Sequence, residues 1–167
     1  MTAVVVRATP ESVPQLVASA TSLFAEDGGQ RDPWMDVTWP RREGPGYYTD
    51  LVRGNDSLCL LAYPAADSTT AIGHLTGRIR QADPLRPAAV VGVLESMRVD
   101  ASHRGVGVGT ALAEEFFAWA RQSGANQVSV TAYSANESAV SFYRGLGFTP
   151  FELTLHAPIG RSPDQPR

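Results

Sequence analysis

Arg104-Gly105-Val106-Gly107-Val108-Gly109 is the run in which residue type and spacing most clearly suggest chemistry. It follows an apolar strand-like stretch ending at Val99, and a helical stripe begins at once through Val108, Leu112, Phe116 and Trp119. The hydrophobic period therefore changes from 2 to 3.6 across a glycine-rich turn. Missing β-carbons let a ligand approach the backbone, successive N–H groups point outward, and the helix dipole adds about half a positive charge. Such a turn is an anion cradle suited to a phosphorylated cofactor. A P-loop is excluded because no lysine stands nearby. A dinucleotide fingerprint fails in both registers, since Thr110 or Leu112 occupies its last small position, and the following strand runs into Tyr133-Ser134 without the ribose-binding acid.

Two further groups of residues could work beside this turn. Asn136 and Tyr143 stand seven apart in a helical stretch, so they share a face two turns from each other. Glu95 is an acid inside an otherwise apolar strand. Plainer readings stay open: Asn136 as a helix cap, Tyr143 as core packing, and Glu95 as a strand carboxylate paired with Arg98 or Arg78. His103 reads as a surface turn residue. His74 and His156 lack metal-ligand spacing to any cysteine or acid, so no metal site is expected.

These residues resemble the two signatures of the GNAT acetyltransferase superfamily. Arg104, Gly107 and Gly109 fill its R-x-x-G-x-G acyl-CoA motif. Asn136, Ala139, Tyr143, Gly147 and Phe148 fill N-x-x-A-x-x-x-Y-x-x-x-G-F at every position. Ala101 stands where the family commonly has proline. The resemblance implies acetyl-CoA as cofactor and direct transfer of its acetyl group to a primary amine in a ternary complex. It implies cofactor contacts from Met97, Arg98, Val99, Arg104, Gly105, Val106, Gly107, Val108, Gly109, Thr110, Asn136 and Tyr143. Backbone groups of Met97 and Val99 would pair with the pantetheine amides. The Met97 N–H would polarise the thioester carbonyl, and Tyr143 would protonate the departing thiolate. An alkyl amine has a pKa of about 10, so it must lose a proton before attack, and Glu95 is the candidate base. A GNAT-fold module that binds acyl-CoA or a partner without turnover is the alternative.

The elements that must position these residues follow from the pattern. Strands are expected at Ala3 to Ala8, Ser57 to Tyr63, Ala71 to Arg80, Val90 to Val99, Gln127 to Ala132 and Phe148 to His156, the last interrupted by Pro150. Asp83-Pro84 and Pro87 should break the connection into the central strand. A first helix, capped by Thr9 or Ser12, should stop near Asp27-Gly28-Gly29. A Gly/Pro-rich loop over residues 28 to 46 precedes a short helix at Tyr47 to Arg53. The central helix stops at Ser123-Gly124, and a last helix spans Ser134 to Leu146. This order gives an α/β fold: a single-domain, GNAT-like, mixed but mostly antiparallel sheet with helices on both faces. The resemblance adds a splayed parallel strand pair that holds the cofactor. The domain should span residues 1–157, with a flexible tail at 158–167.

With 167 residues, 43% of them hydrophobic and 19% charged, the chain is one globular domain, large enough to bury about two-thirds of its extended surface. Net charge is −3 and no basic tract argues for nucleic acid. Cys59 is the single cysteine and lies in an apolar run. No signal-peptide h-region or membrane span is apparent, which leads us to expect a cytoplasmic protein. The acceptor-side loop offers Glu26, Asp27, Asp32 and Asp36 with Trp34 and Trp39, which suits a cationic amine. Arg31, Arg41 and Arg42 argue equally for a carboxylate-bearing substrate, and a solvated loop with its tryptophans packed beneath it is a third reading of equal standing. A small-molecule amine and a peptide or protein amine therefore both stay open as acceptors, and a homodimer is an open expectation from the family.

Overall fold

The computed structural model describes residues 2–160. Five strands form one sheet in chain order: β1 (Val4–Arg7), β2 (Ser57–Tyr63), β3 (Gly73–Asp83), β4 (Arg86–Val99) and β5 (Gln127–Val130). The first four run antiparallel to their neighbours, and only β4 and β5 are parallel. The β3–β4 hairpin turns at Pro84-Leu85, and Pro87 lies inside β4 rather than breaking it.

Alternation along the strands sends two sets of apolar side chains to opposite faces. Leu58, Leu60, Ala62, Leu75 and Leu94 meet Val108, Leu112 and Phe116 of α5 (Val108–Gln122). Cys59 and Leu61 meet Leu16 and Ala20 of α1 (Val13–Leu23) and Tyr48 and Leu51 of α4 (Gly44–Arg53). Burial pushes the Cys59 thiol up to about 12, which makes it an inert core residue.

The first helix departs from expectation. It does not stop at Gly28-Gly29 but widens into a π-turn over Phe24–Gly28 and continues as α2 (Gly29–Arg31). Both glycines have negative, helical φ values, −59° and −63°. Their smallness serves packing instead: a β-carbon on Gly28 would lie 2.8 Å from Met35, and one on Gly29 2.7 Å from Val37. The loop foreseen over 28–46 is correspondingly short, because α2, α3 (Trp39–Arg42) and the start of α4 take up more than half of it.

α6 (Glu137–Gly145) is capped by Asn136 rather than Ser134. The strand expected at Phe148 to His156 does not form within the chain. Residues 149–159 have no regular structure, and Phe151, Leu153 and Leu155 are exposed. Of the expected tail, residues 161–167 lie outside those described.

Candidate functional site: a split in the sheet

β4 and β5 pair only from Val91↔Gln127 to Leu94↔Val130, and beyond Leu94 they separate. The separation begins where β4 carries a bulge. Thr76 pairs with Ser96 and Gly77 with Leu94, so Glu95 is the extra residue. A bulge bends its strand and re-aims side chains. Here Glu95 and Ser96 both face α1 and α4, since Glu95 contacts Arg78, and Ser96 contacts His74, which in turn contacts Ser19 of α1.

Past the bulge, the edge of β4 that faces the split is defined by ladder alternation. Asp100 N–H donates to the Ile72 carbonyl at 2.8 Å, so 72↔100 is a hydrogen-bonded pair. By alternation 74↔98 and 76↔96 are too, whereas Met97 and Val99 occupy the intervening pairs with Leu75 and Gly73. The N–H and C=O groups of Met97 and Val99 therefore point away from β3, into the split. The Val99 carbonyl accepts from Arg104 Nε at 2.8 Å, as an outward-facing group must.

The glycine-rich turn closes one end of the split. Gly105 and Gly107 have φ values of 75° and 92°, a region that penalises any side chain, and Gly107 is the N-cap of α5. Gly109 packs closely: a β-carbon there would sit 3.1 Å from Met97 Cε and 3.2 Å from Phe142 Cζ. That contact ties the turn to β4 on one side and to α6 on the other. Val108 is fully buried under the turn, while Val106 and Thr110 face outward.

Asn136 and Tyr143 do share one face of α6, and Asp27 of the π-turn lies against it. Asn136 Oδ1 accepts from Ala139 N–H at 3.2 Å, and its Nδ2 donates to Asp27 Oδ1 at 3.0 Å. Tyr143 packs edge-on against Phe142 and Phe148. Burial, with a smaller contribution from the Asp27 charge, pushes its phenol up to about 12. It is a phenol that stays protonated.

The π-turn supplies a second acid that sequence reasoning assigned to the acceptor loop. Glu26 bonds Arg98 at 2.9 Å and Arg104 at 2.7 Å, and Arg98 also pairs with Asp100. Glu26 and Asp27 thus join Arg98, Arg104 and Asn136 from across the split. The insertion that creates a π-turn rotates these acids off the regular helical stripe, so a 3.6 period could not place them.

Glu95 stands apart from this cluster. It pairs with Arg78 at 3.0 Å and Arg80 at 3.8 Å, not with Arg98. Arg78 in turn donates to Tyr47 Oη at 3.2 Å and lies 5.6 Å from the centre of its ring. Tyr47 meets Trp39 edge-on, and Trp39 stacks on Phe24 at 5.9 Å. These form an aromatic wall ending at one carboxylate, on the α1–α4 side of the bulge. The loop arginines are largely internally satisfied: Arg31 bonds Asp27, and Arg42 bonds Asp36 and Glu43. Trp34 is exposed. Among the described residues no cluster of three or more His, Cys, Asp or Glu could hold a metal ion, and no helix is long and apolar enough to cross a membrane.

Comparison with known proteins follows the same outline. The sequence model of the acetyltransferase (GNAT) family matches residues 21–148. No match is found among curated protein sequences. The BH1408 protein of Bacillus halodurans, as a tetramutant, is 18% identical with a TM-score of 0.83, covering 93% of this chain and 99% of its own. The aminoglycoside 6′-N-acetyltransferase AAC(6′)-Ih of Acinetobacter baumannii is 20% identical with a TM-score of 0.74, covering 96% and 99%. AAC(6′)-Iy, an aminoglycoside N-acetyltransferase solved with CoA, is 16% identical with a TM-score of 0.73, covering 95% of each chain. With a family match over most of its length and a sheet split beside a glycine-rich helix start, the chain belongs to the GNAT acetyltransferase family and is an acyltransferase.

Proposed function

We propose that the protein is an acetyl-CoA-dependent N-acetyltransferase acting by direct transfer on a primary amine of a small molecule. One observation carries the reading: the outward backbone edge of Met97 and Val99 lines the split, and the glycine-rich turn ties β4 at Met97 to α6, the helix that carries Tyr143 and is capped by Asn136. An extended amide-bearing arm can add to that edge as a strand would. The turn's N–H groups at the start of the 15-residue helix α5 suit its phosphates. Arg104 rests on Val99 and Glu26, and it would swing outward to add its charge.

Acetyl-CoA, when bound, supplies the acyl group as a thioester. Around it the chain's own groups divide the work. The Met97 N–H is directed into the split, where it would stabilise charge developing on the carbonyl oxygen. Tyr143, held protonated by burial, is suited to give a proton to the departing sulfur. Glu95, at the bulge, takes the amine proton directly or through water. The wall of Tyr47, Trp39 and Phe24 beside that carboxylate suits a cationic amine. That two structural neighbours are named for aminoglycosides makes polyamino sugars the first acceptors to try.

Calorimetric titration of acetyl-CoA into the wild type and into Gly107→Trp tests the cofactor site. Saturable binding that the bulky variant abolishes is expected. Thiol release with a panel of polyamines, aminoglycosides and amino-acid derivatives then tests turnover. Tight binding without release for any amine would overturn the catalytic reading.

A further inference from the structure

The corner of the sheet that carries Glu95 holds more positive charge than its one acid can answer. Alternation along β3 turns His74, Thr76, Arg78 and Arg80 toward the face that α1 and α4 cover. His74 and Thr76 are buried there and Arg78 reaches Tyr47 of α4, but the Arg80 side chain is 68% exposed. Glu95 stands between the two arginines, with Oε2 3.0 Å from Arg78 Nε and Oε1 3.8 Å from Arg80 Nη2. The first contact is a hydrogen bond, and the second is too long to be one. Arg78 is engaged further by the hydroxyl and the ring of Tyr47. Arg80 has no hydrogen-bond acceptor among the described residues, so its planar fork of N–H donors is free. Two guanidiniums against one carboxylate leave one positive charge unanswered. Of the acids on the acceptor side, Glu26, Asp27 and Asp36 are already held by arginines of their own and offer little to a polycation.

We infer that the acceptor is an amine with a carboxylate on the same or the neighbouring carbon, an amino acid with an apolar or aromatic side chain, and that Arg80 selects it. The assignment rests on Glu95 being the base at the acceptor site, as proposed above, and it narrows the acceptor to one class of amine. The amine faces Glu95, and the carboxylate takes the free fork of Arg80 as a charge-assisted, bidentate pair. Because Glu95 Oε1 and Arg80 Nη2 lie 3.8 Å apart, the two groups they hold must be close together on the acceptor. The rest of the molecule lies along the rings of Tyr47 and Trp39, which meet edge-on beside this corner. A polyamine or a polyamino sugar brings further positive charge up to Arg78 and Arg80 instead, and like charges a few ångströms apart repel. Selection therefore comes from attraction of one class and repulsion of the other.

Calorimetric titration in the presence of CoA measures this selection without turnover. The probes are leucine and phenylalanine, each as the free acid and as the carboxamide, with spermidine as the polycation. The free acids are expected to bind about tenfold tighter than their amides, as one charge-assisted pair allows, and spermidine to bind more weakly than either. Arg80 is exposed, so Arg80→Gln should fold as the wild type does and bring the acid-to-amide ratio of affinities to about one. Amides or spermidine that bind as well as the acids, an acid preference that survives in Arg80→Gln, or no binding of any probe would overturn the proposal. Thiol release from acetyl-CoA with the same probes separates this outcome from the fate of the acetyl-transfer reading. Release without an acid preference sinks the selection alone, whereas an acid preference without release sinks acetyl transfer alone.

Discussion

His74 offers a test of the packing beside the bulge in β4. Its ring is fully buried between β3, β4 and α1, with nitrogens 2.6 Å from Ser19 Oγ and 2.7 Å from Ser96 Oγ. A neutral imidazole has one donor and one acceptor, so it can satisfy one serine in each sense. Burial, assisted by the Arg98 charge, lowers its pKa from 6.5 to about 3. In the unfolded chain the same ring titrates near 6.5. Above that value neither state is protonated and the stability contribution is complete. As pH falls, the unfolded chain binds a proton that the folded one refuses, so stability declines from about pH 6.5 down to about pH 3. At pH 5 the loss is about 1.36 × 1.5, or roughly 2 kcal/mol. His74→Gln keeps a donor and an acceptor but cannot titrate. The assay is urea unfolding of both proteins at about pH 7.5 and pH 5. The wild type should lose about 2 kcal/mol more than the variant between the two, a midpoint difference near 1 M urea. Equal losses in both proteins would refute the reasoning, because they would mean that the folded ring accepts a proton at its ordinary pKa.

Tyr143→Phe should lower kcat by about 10²- to 10⁴-fold, the usual range for a lost general acid, while acetyl-CoA affinity by calorimetry stays within threefold. Because the phenol titrates only near 12, no alkaline fall in rate below about pH 10 should trace to Tyr143, which a rate profile of wild type will show. Glu26→Gln frees Arg104 from its 2.7 Å ion pair, and tighter acetyl-CoA binding, by about threefold at low salt, is expected by titration. Phe116→Ala removes a fully buried ring between α5 and the sheet, and should cost about 3–5 kcal/mol in chemical denaturation with no change in the m-value.

The glycine-rich turn and the α6 signature were legible because their geometry depends on local covalent facts. Only glycine sits easily at the φ of Gly107, and only a seven-residue spacing sets Asn136 and Tyr143 on one face. The strands were legible from alternation, although Pro87 shows that an edge-proximal residue of β4 tolerates what a central one would not. What escaped the sequence depended on partners. The Glu95 bulge exists only as two residues opposed to one across a ladder. Gly28 and Gly29 look like a helix stop, yet Met35 and Val37, which arrive from the following loop, are the reason no side chain fits there. Glu26 and Asp27 consequently moved from the acceptor loop to the split, where they meet Arg98, Arg104 and Asn136.

Every backbone group that a sheet leaves unpaired must find water, a ligand or another chain. Besides its two outer edges, at β1 and β5, this sheet leaves one such row inside it. The inner row, at Met97 and Val99, opens because the bulge at Glu95 turns β4 away from β5 after only four paired residues. It is bounded by the Gly107 turn and by α6, so it admits one narrow extended ligand and excludes a second strand with its side chains.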